Sequence, residues 1–324
     1  MQASGRLTGW WLPGSLALAG AVFAALTGSS VLLDAGVFFF YYLLLAASWN
    51  LLAGYSGQMS FMHVAFAVAG AYGTAAIHGW LSLPVWASLL AAALLVGIAA
   101  VAVGFLTMRF RNITFSLATF AIAGMFVSWL TGASAVTGGN SGLSVDPLLD
   151  GDQTRSFVWI GLALAVSFYA AQASLLTSTW GVLLRAVRDH EEVARGLGVR
   201  TTALKIGCFT FAAVWAALAG GFFATYVGFI TPSIGTLSNM GLVIAMVVVG
   251  GMGRAGGPVV GTLVFRIVDY FTRGYGGEYT VLVFATLLLF MMLFMRDGIT
   301  GLFDRWFSAM RPRRDRWATP TSTR

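Results

Sequence analysis

Charge is scarce in this sequence: only 10% of its 324 residues are Asp, Glu, Lys or Arg, against about a quarter in a typical soluble domain. Together with a hydrophobic content of 58%, that deficit excludes an ordinary water-soluble fold. Cysteine is as sparse. The single Cys208 rules out an internal disulfide and, inside an apolar stretch, reads as a small packing residue without a redox role. Lysine occurs once, as Lys205 after Leu204, so the chain holds no Gly-Lys-Ser/Thr phosphate loop, and no nucleotide, cofactor or metal site is expected. The net charge of +7 is spread between apolar runs rather than drawn into one stripe, which argues against nucleic acid as a partner.

What the sequence has in quantity is apolar runs, near 10–28, 31–52, 59–77, 83–107, 113–131, 156–178, 204–228, 236–252, 257–272 and 279–295. A membrane crossing takes about 20 apolar residues, so the pattern predicts an all-α integral membrane protein. About ten transmembrane helices are expected, some of them short or discontinuous, joined by short loops. The first run also has features of a signal peptide, with Arg6 before it and Ala24 and Ala25 near its end; its near-spanning length favours a retained helix.

With the N-terminus placed in the cytoplasm, the basic residues sort by side. Arg6, Arg109, Arg111, Arg185, Arg188, Arg195, Arg200, Lys205, Arg254, Arg296, Arg305, Arg311, Arg313, Arg314, Arg316 and Arg324 fall inside, Arg155 and Arg273 outside, and Arg266 within a span. The positive-inside rule then predicts both termini in the cytoplasm. The expected organisation is one transmembrane domain over 1–304, with a cytoplasmic segment 179–203 and an external loop 132–155, followed by a basic cytoplasmic tail over 305–324. The loop is rich in Gly, Ser, Asn and Asp; its Asp146, Asp150 and Asp152 suit either solvation or a partner contact. The tail suits anionic membrane lipid.

The segment 180–198 reads as one amphipathic helix. Leu183, Ala186, Val187, Val193, Ala194 and Leu197 favour one side, and Arg185, Arg188, Glu192 and Arg195 another. Glu191 and Arg195 stand at the i, i+4 spacing of a stabilising ion pair. A second segment, Ser48-Trp-Asn-Leu-Leu-Ala-Gly-Tyr-Ser-Gly-Gln-Met-Ser-Phe-Met-His63, places Gly54 and Gly57 where a helix can break, with Ser56 or Ser60 available to cap the next. A third, Val249-Gly-Gly-Met-Gly-Arg-Ala-Gly-Gly-Pro-Val-Val-Gly261, spaces Gly253, Gly257 and Gly261 for close helix packing and puts Pro258 in a first helical turn. Arg266 and Asp269, at i, i+3, read as the only charged residues within a span and can neutralise each other or act in transport.

Glu192-Val-Ala-Arg-Gly-Leu-Gly198 resembles the Glu-Ala-Ala-x-x-x-Gly loop of ABC importer permeases, with Val193 departing from the pattern. The segments 48–72 and 229–261, with Thr137-Gly-Gly-Asn-Ser-Gly-Leu143, resemble in order the branched-chain amino acid permeases, the Liv type of ABC importer. The resemblance implies a multi-pass subunit of a bacterial inner membrane that has no ATP site of its own. It further implies ABC ATPase subunits, a second permease subunit, related or identical, an external substrate-binding protein and an amino-acid substrate. It assigns ATPase coupling to Arg185, Arg188, Glu191, Glu192, Ala194, Arg195 and Gly198. Asn50, Gln58, Ser60 and His63 become candidates for the translocation path, beside the plainer reading of interhelical hydrogen bonds.

Urea or short amides are alternative substrates. An ion-coupled transporter is weakened by the lack of acids at mid-membrane. An intramembrane protease built on Gly54-Tyr-Ser56-Gly57 lacks a histidine base in a later span. The orientation is testable with single cysteines at Ser141 and Ser308 in a Cys208→Ala background. An impermeant maleimide should label position 141 and spare 308 in intact cells; labelling at 308 overturns the assignment.

Overall fold

The computed structural model describes residues 14–23, 27–110, 112–148 and 154–272, with short pieces at 282–283, 285–286, 288–290 and 298–301. The elements are α1 (Gly14–Phe23), α2 (Ser30–Asn50), α3 (His63–Leu81), α4 (Val85–Thr107), α5 (Asn112–Gly132), α6 (Ser134–Thr137), β1 (Leu143–Ser144), α7 (Thr154–Thr177), α8 (Thr179–Asp189), α9 (Glu191–Gly196), α10 (Thr201–Val227), β2 (Phe229–Ile230), α11 (Leu237–Gly250) and α12 (Gly257–Thr272). A π-helical turn, Leu51–Tyr55, prolongs α2.

Among the described residues six helices are long and apolar enough to cross a membrane, where ten spans were expected. They are Ser30–Tyr55, His63–Leu81, Val85–Thr107, Ile113–Gly132, Thr154–Thr177 and Thr201–Val227. The runs 236–252 and 257–272 instead form the 14-residue α11 and the 16-residue α12. At about 1.5 Å per residue neither covers a core of about 30 Å in a straight crossing. Gly251 at φ 119° and Gly253 at φ 77° turn the chain between them, conformations that a side chain would strain. The run 10–28 contributes the 10-residue α1, and most of 279–295 lies outside the described residues.

At the centre stands α10, packed against α2, α3, α4 and α7. Its inward stripe is small: Ala212, Ala213, Ala216, Ala217, Ala219 and Gly220 are all buried. Lipid tails are as apolar as these side chains, so close van der Waals contact must hold the helices together. A Cβ at Gly70 of α3 would meet the Ala217 backbone within 2.6 Å, and one at Gly220 would meet Ala67 of α3 within 2.7 Å. The same device joins α11 to α12, where Gly250 approaches Gly257 and Gly261 approaches Met246. Outward-facing Leu94, Ile98, Phe105, Leu117 and Met125 on α4 and α5 are exposed, as a lipid-facing surface requires. Trp80, Trp86 and Trp129 stand exposed near one common end of α3, α4 and α5, the position of an interfacial aromatic belt.

At that end the loop after α5 folds back. Gly142 (φ 70°) and Gly228 (φ 74°) turn the chain into β1 and β2, which pair antiparallel with Leu143 opposite Ile230 and Ser144 opposite Phe229. The Thr137–Leu143 and Phe229–Pro232 segments, distant in sequence, thus meet over a small core of Val68, Tyr72, Leu130, Val145 and Ile230. Asp146 of the same loop pairs with His78 Nε2 at 2.8 Å; Asp150 and Asp152 lie outside the described residues.

Gly70→Leu should loosen the α3–α10 contact, costing about 1–3 kcal/mol as overpacking usually does. Gly124→Ala, whose new Cβ meets nothing within 4 Å, is the control. Thermal unfolding in detergent should show a lowered midpoint for the first variant alone; equal midpoints would refute this account of the packing.

Candidate functional site

The segments 48–63, 180–198 and 249–261 converge at the end of the bundle opposite the β1–β2 pair. The π-turn of α2 ends at Tyr55, and the chain then crosses to α3 through an irregular stretch, 56–62, in which Gly57 takes φ 74°. Gly54 lies against the loop between α11 and α12, where an added Cβ would come within 2.6 Å of Gly253 Cα and of Asn50 Oδ1. Asn50 bonds both ways across this contact: its Oδ1 accepts from Gly253 N–H at 2.8 Å, and its Nδ2 donates to the Arg254 carbonyl at 2.9 Å. Two backbone groups of a half-buried loop are bonded by one side chain that is itself fully buried.

Arg188 of α8 closes the arrangement. Its Nη1 donates to the Gly54 carbonyl at 2.8 Å, its Nε pairs with Asp189 at 3.0 Å, and its aliphatic stem lies over Gly57. A side chain at Gly57 would displace that stem. Thr300 Oγ1 donates to the Gly250 carbonyl at 2.7 Å, so the piece 298–301 braces the loop from another side.

The segment 180–198 is not the single helix expected. His190, at φ −148° and ψ 81°, breaks it into α8 and α9. The break lets each part bury its own face: Gly181, Leu184 and Val187 on α8, and Ala194 on α9. A straight helix would carry one stripe only. The expected apolar side is corrected accordingly, since Ala186, Val193 and Leu197 are exposed and Leu183 is half-buried. Leu197 keeps 81% of its surface.

Glu191 accepts from Arg195 Nη2 at 3.0 Å, the i, i+4 pair, and also from Lys205 Nζ of α10 at 2.6 Å. The lone lysine therefore ties α9 to α10. After α9, Gly198 adopts φ 86°; its N–H bonds the Arg195 carbonyl and Val199 N–H bonds the Ala194 carbonyl. That pair of bonds is a Schellman ending, which needs the left-handed residue glycine supplies. Arg185 donates to the Leu176 carbonyl at 3.3 Å, and Glu192 is exposed.

The candidate path residues are buried side by side. Trp49 Nε1 donates to the Ser60 carbonyl at 2.8 Å, and Ser60 Oγ accepts from Met62 N–H at 3.2 Å. Ser60 therefore lies two residues before Met62, the N-cap of α3, and Ser56 turns back to the Leu52 carbonyl at 2.6 Å. The expected serine cap is absent because the irregular stretch consumes both hydroxyls. Gln58 Nε2 donates to Met108 Sδ at 2.9 Å, and its Oε1 is buried without a partner among the described residues. His63 Nε2 lies 3.1 Å from Ser48 Oγ. Ser48 spends its proton on the Leu45 carbonyl at 3.0 Å, so the imidazole donates to it and cannot serve it as a base. Cys208 is buried, its Sγ 3.9 Å from the Leu51 carbonyl. Among the described residues no group of three or more His, Cys, Asp or Glu is placed to hold a metal.

Sequence reading overlooked Asp34, which lies inside the 31–52 run and accepts a bond from Tyr226 OH. A charge four residues into an apolar run was signal enough. It joins Arg266 and Asp269, paired at 2.6 Å, as an ionisable group within the membrane helices.

The profile of the family described as the branched-chain amino acid transport system permease component matches residues 31–294. The LivM permease protein of the Salmonella typhimurium high-affinity branched-chain amino acid transport system is 26% identical over 285 residues, 79% of this chain and 67% of that one. The LivH permease of the Escherichia coli system is 30% identical over 148 residues, 45% of this chain and 47% of the relative. LsrC, a permease of the autoinducer 2 import system of Yersinia pseudotuberculosis, is 36% identical over 140 residues, 43% of this chain and 37% of its own. No solved structure matches.

Asn50→Leu should remove the acceptor of Gly253 N–H, at about 1–3 kcal/mol, and leave the Arg254 carbonyl with the Gly257 N–H in place of two donors. Trypsin should then cut the detergent-solubilised protein after Arg254 faster than it cuts the parent. Equal cleavage rates would mean that Asn50 does not hold the loop.

Proposed function

Because the chain belongs to the branched-chain amino acid transport system permease family, we propose that it is the translocating subunit of an ATP-driven importer of branched-chain amino acids. In this reading α8 and α9 receive the motion of a separate ATPase. The observation that carries it is the bond from Arg188 to the Gly54 carbonyl, which joins the segment resembling a coupling loop to the broken end of a spanning helix. The exposed Val193 and Leu197, beside Glu192, give that segment an outward apolar patch with a charged edge, the composition of a protein contact. A cleft of about 430 Å³ lined by Trp180, Leu183, Leu197, Arg200 and Leu204 adjoins it.

ABC ATPases would dock there on the cytoplasmic side, with both termini on that side and an external binding protein at the β1–β2 end. A second permease subunit would complete the pathway. Gln58 and His63 would line it, each keeping a buried polar atom without a partner among the described residues, while Asn50 and Ser60 border it and hold its loops. The branched-chain substrate follows the LivM relative, whose similarity spans more of this chain than that of LsrC.

Gly198→Asp places a side chain at φ 86°, a strain of roughly 1–2 kcal/mol, and should depress both leucine uptake and ATPase co-purification. Glu192→Ala should act in the same direction and more weakly. Arg188→Ala, whose lost bond lies within the chain, should retain the ATPase and lose uptake. Uptake and co-purification are compared at equal membrane abundance. Full uptake in the Gly198 and Arg188 variants, with unchanged ATPase association, would reduce α8–α9 to an ordinary interfacial helix pair.

A further inference from the structure

Three ionisable side chains of the membrane helices gather around one ring. Arg266 of α12 holds its guanidinium carbon 5.2 Å from the centroid of Phe38 on α2 and pairs through Nη1 with Asp269 at 2.6 Å. Asp34, one turn before Phe38 on the same helix, accepts from Tyr226 of α10, whose ring stands edge-on to Phe38 with centroids 6.4 Å apart. Phe223 closes on Phe38 from the same helix at 5.3 Å. Only 8% of Arg266 is exposed, yet Asp34, Phe38, Tyr226 and Asp269 are half-buried, so the cluster reaches the protein surface.

A buried ion pair is a poor stabiliser, because desolvation offsets most of its attraction and apolar residues would do as well. Ionisable groups kept inside a membrane mark functional sites by default. This group has the chemistry of a zwitterion with an apolar side chain. A ligand carboxylate can take the place of Asp269 on the guanidinium, which binds carboxylates through paired donors. Its ammonium can then take the carboxyl groups of Asp269 and Asp34, beside aromatic faces that attract a cation. Arg266 and Asp269 each exchange one charged partner for another, and Asp34, which faces a tyrosine hydroxyl, gains a cation.

We propose that the cluster of Asp34, Phe38, Tyr226, Arg266 and Asp269 between α2, α10 and α12 is a binding site for a free α-amino acid in its zwitterionic form. The proposal rests on the importer reading above and gives that importer a substrate site in its membrane helices. The paired variant R266Q/D269N removes both members of the ion pair together, so neither is left without the other. In the full chain with its partner subunits, R266Q/D269N should keep membrane abundance and ATPase association, and lose roughly tenfold or more of radiolabelled L-leucine uptake. D34N, which keeps an acceptor for Tyr226, should raise the KM for uptake with a smaller fall in maximal rate. If R266Q/D269N transports leucine like the parent, the pair is structural and the proposal is overturned. Should R266Q/D269N accumulate poorly, D34N decides by the same criterion, and an unchanged KM overturns the site. A parent that takes up no leucine beside its ATPase would instead refute the importer reading, and the site with it.

Discussion

An interrupted helix in a membrane exposes backbone groups that lipid cannot satisfy, and the break at the end of α2 sets the terms for everything around it. The Gly54 carbonyl is taken by Arg188, while Asn50 satisfies the N–H of Gly253 and the carbonyl of Arg254. These bonds reach two distant parts of the chain, so the break cannot be stable alone. It requires the α11–α12 loop on one side and α8 on the other. The glycines at 54, 57 and 253 follow from the same constraint, since any side chain there would hold the partners apart.

That constraint makes α8–α9 a rigid attachment. Arg188 fixes it to the end of α2, and Glu191 fixes it to the base of α10 through Lys205, a pair with little exposed surface. Partly buried pairs are screened less by salt than exposed ones. The two anchors lie on either side of the His190 break, one on each short helix. A displacement of α8–α9 therefore acts on two spanning helices at once.

Elements set by local pattern were legible in the sequence. The run 83–107 became α4 over 85–107, and 113–131 became α5 over 112–132, because an unbroken apolar stretch of spanning length has few alternatives to a helix. The Glu191–Arg195 pair was legible for the same reason: its spacing is local. The bond from Arg188 to Gly54 joins residues 134 apart, and no periodicity encodes it. The break at His190 was missed because helical spacing continues across it; the φ of −148° there reflects the separate surfaces that α8 and α9 must bury. The runs 236–252 and 257–272 carried the hydropathy of spans, but glycines that read as helix-packing positions also turned the chain between them.

Glycine turns the chain at both ends of the bundle, and the two ends differ in what holds the turned segments together. At the β1–β2 end, Gly142 and Gly228 supply positive φ so that two loops pair over an apolar core. That surface is held by backbone bonds and burial, with one exposed ion pair, His78 to Asp146, which contributes little. At the other end Gly57, Gly198, Gly251 and Gly253 also take positive φ, Gly54 allows close contact, and Asn50, Arg188 and Lys205 supply the bonds between segments. Between them α3 and α10 meet through Ala67, Gly70, Ala217 and Gly220, beside the buried edge-to-face pair of Phe66 and Phe209 at 5.3 Å. The small residues let the two backbones approach closely, and that contact is what holds the helices together where lipid supplies no hydrophobic drive. The bundle is thus held by hydrogen bonds and charge pairs where α8–α9 attach and by close backbone contact where α3 meets α10, so a displacement of α8–α9 would reach α10 through Glu191 and Lys205.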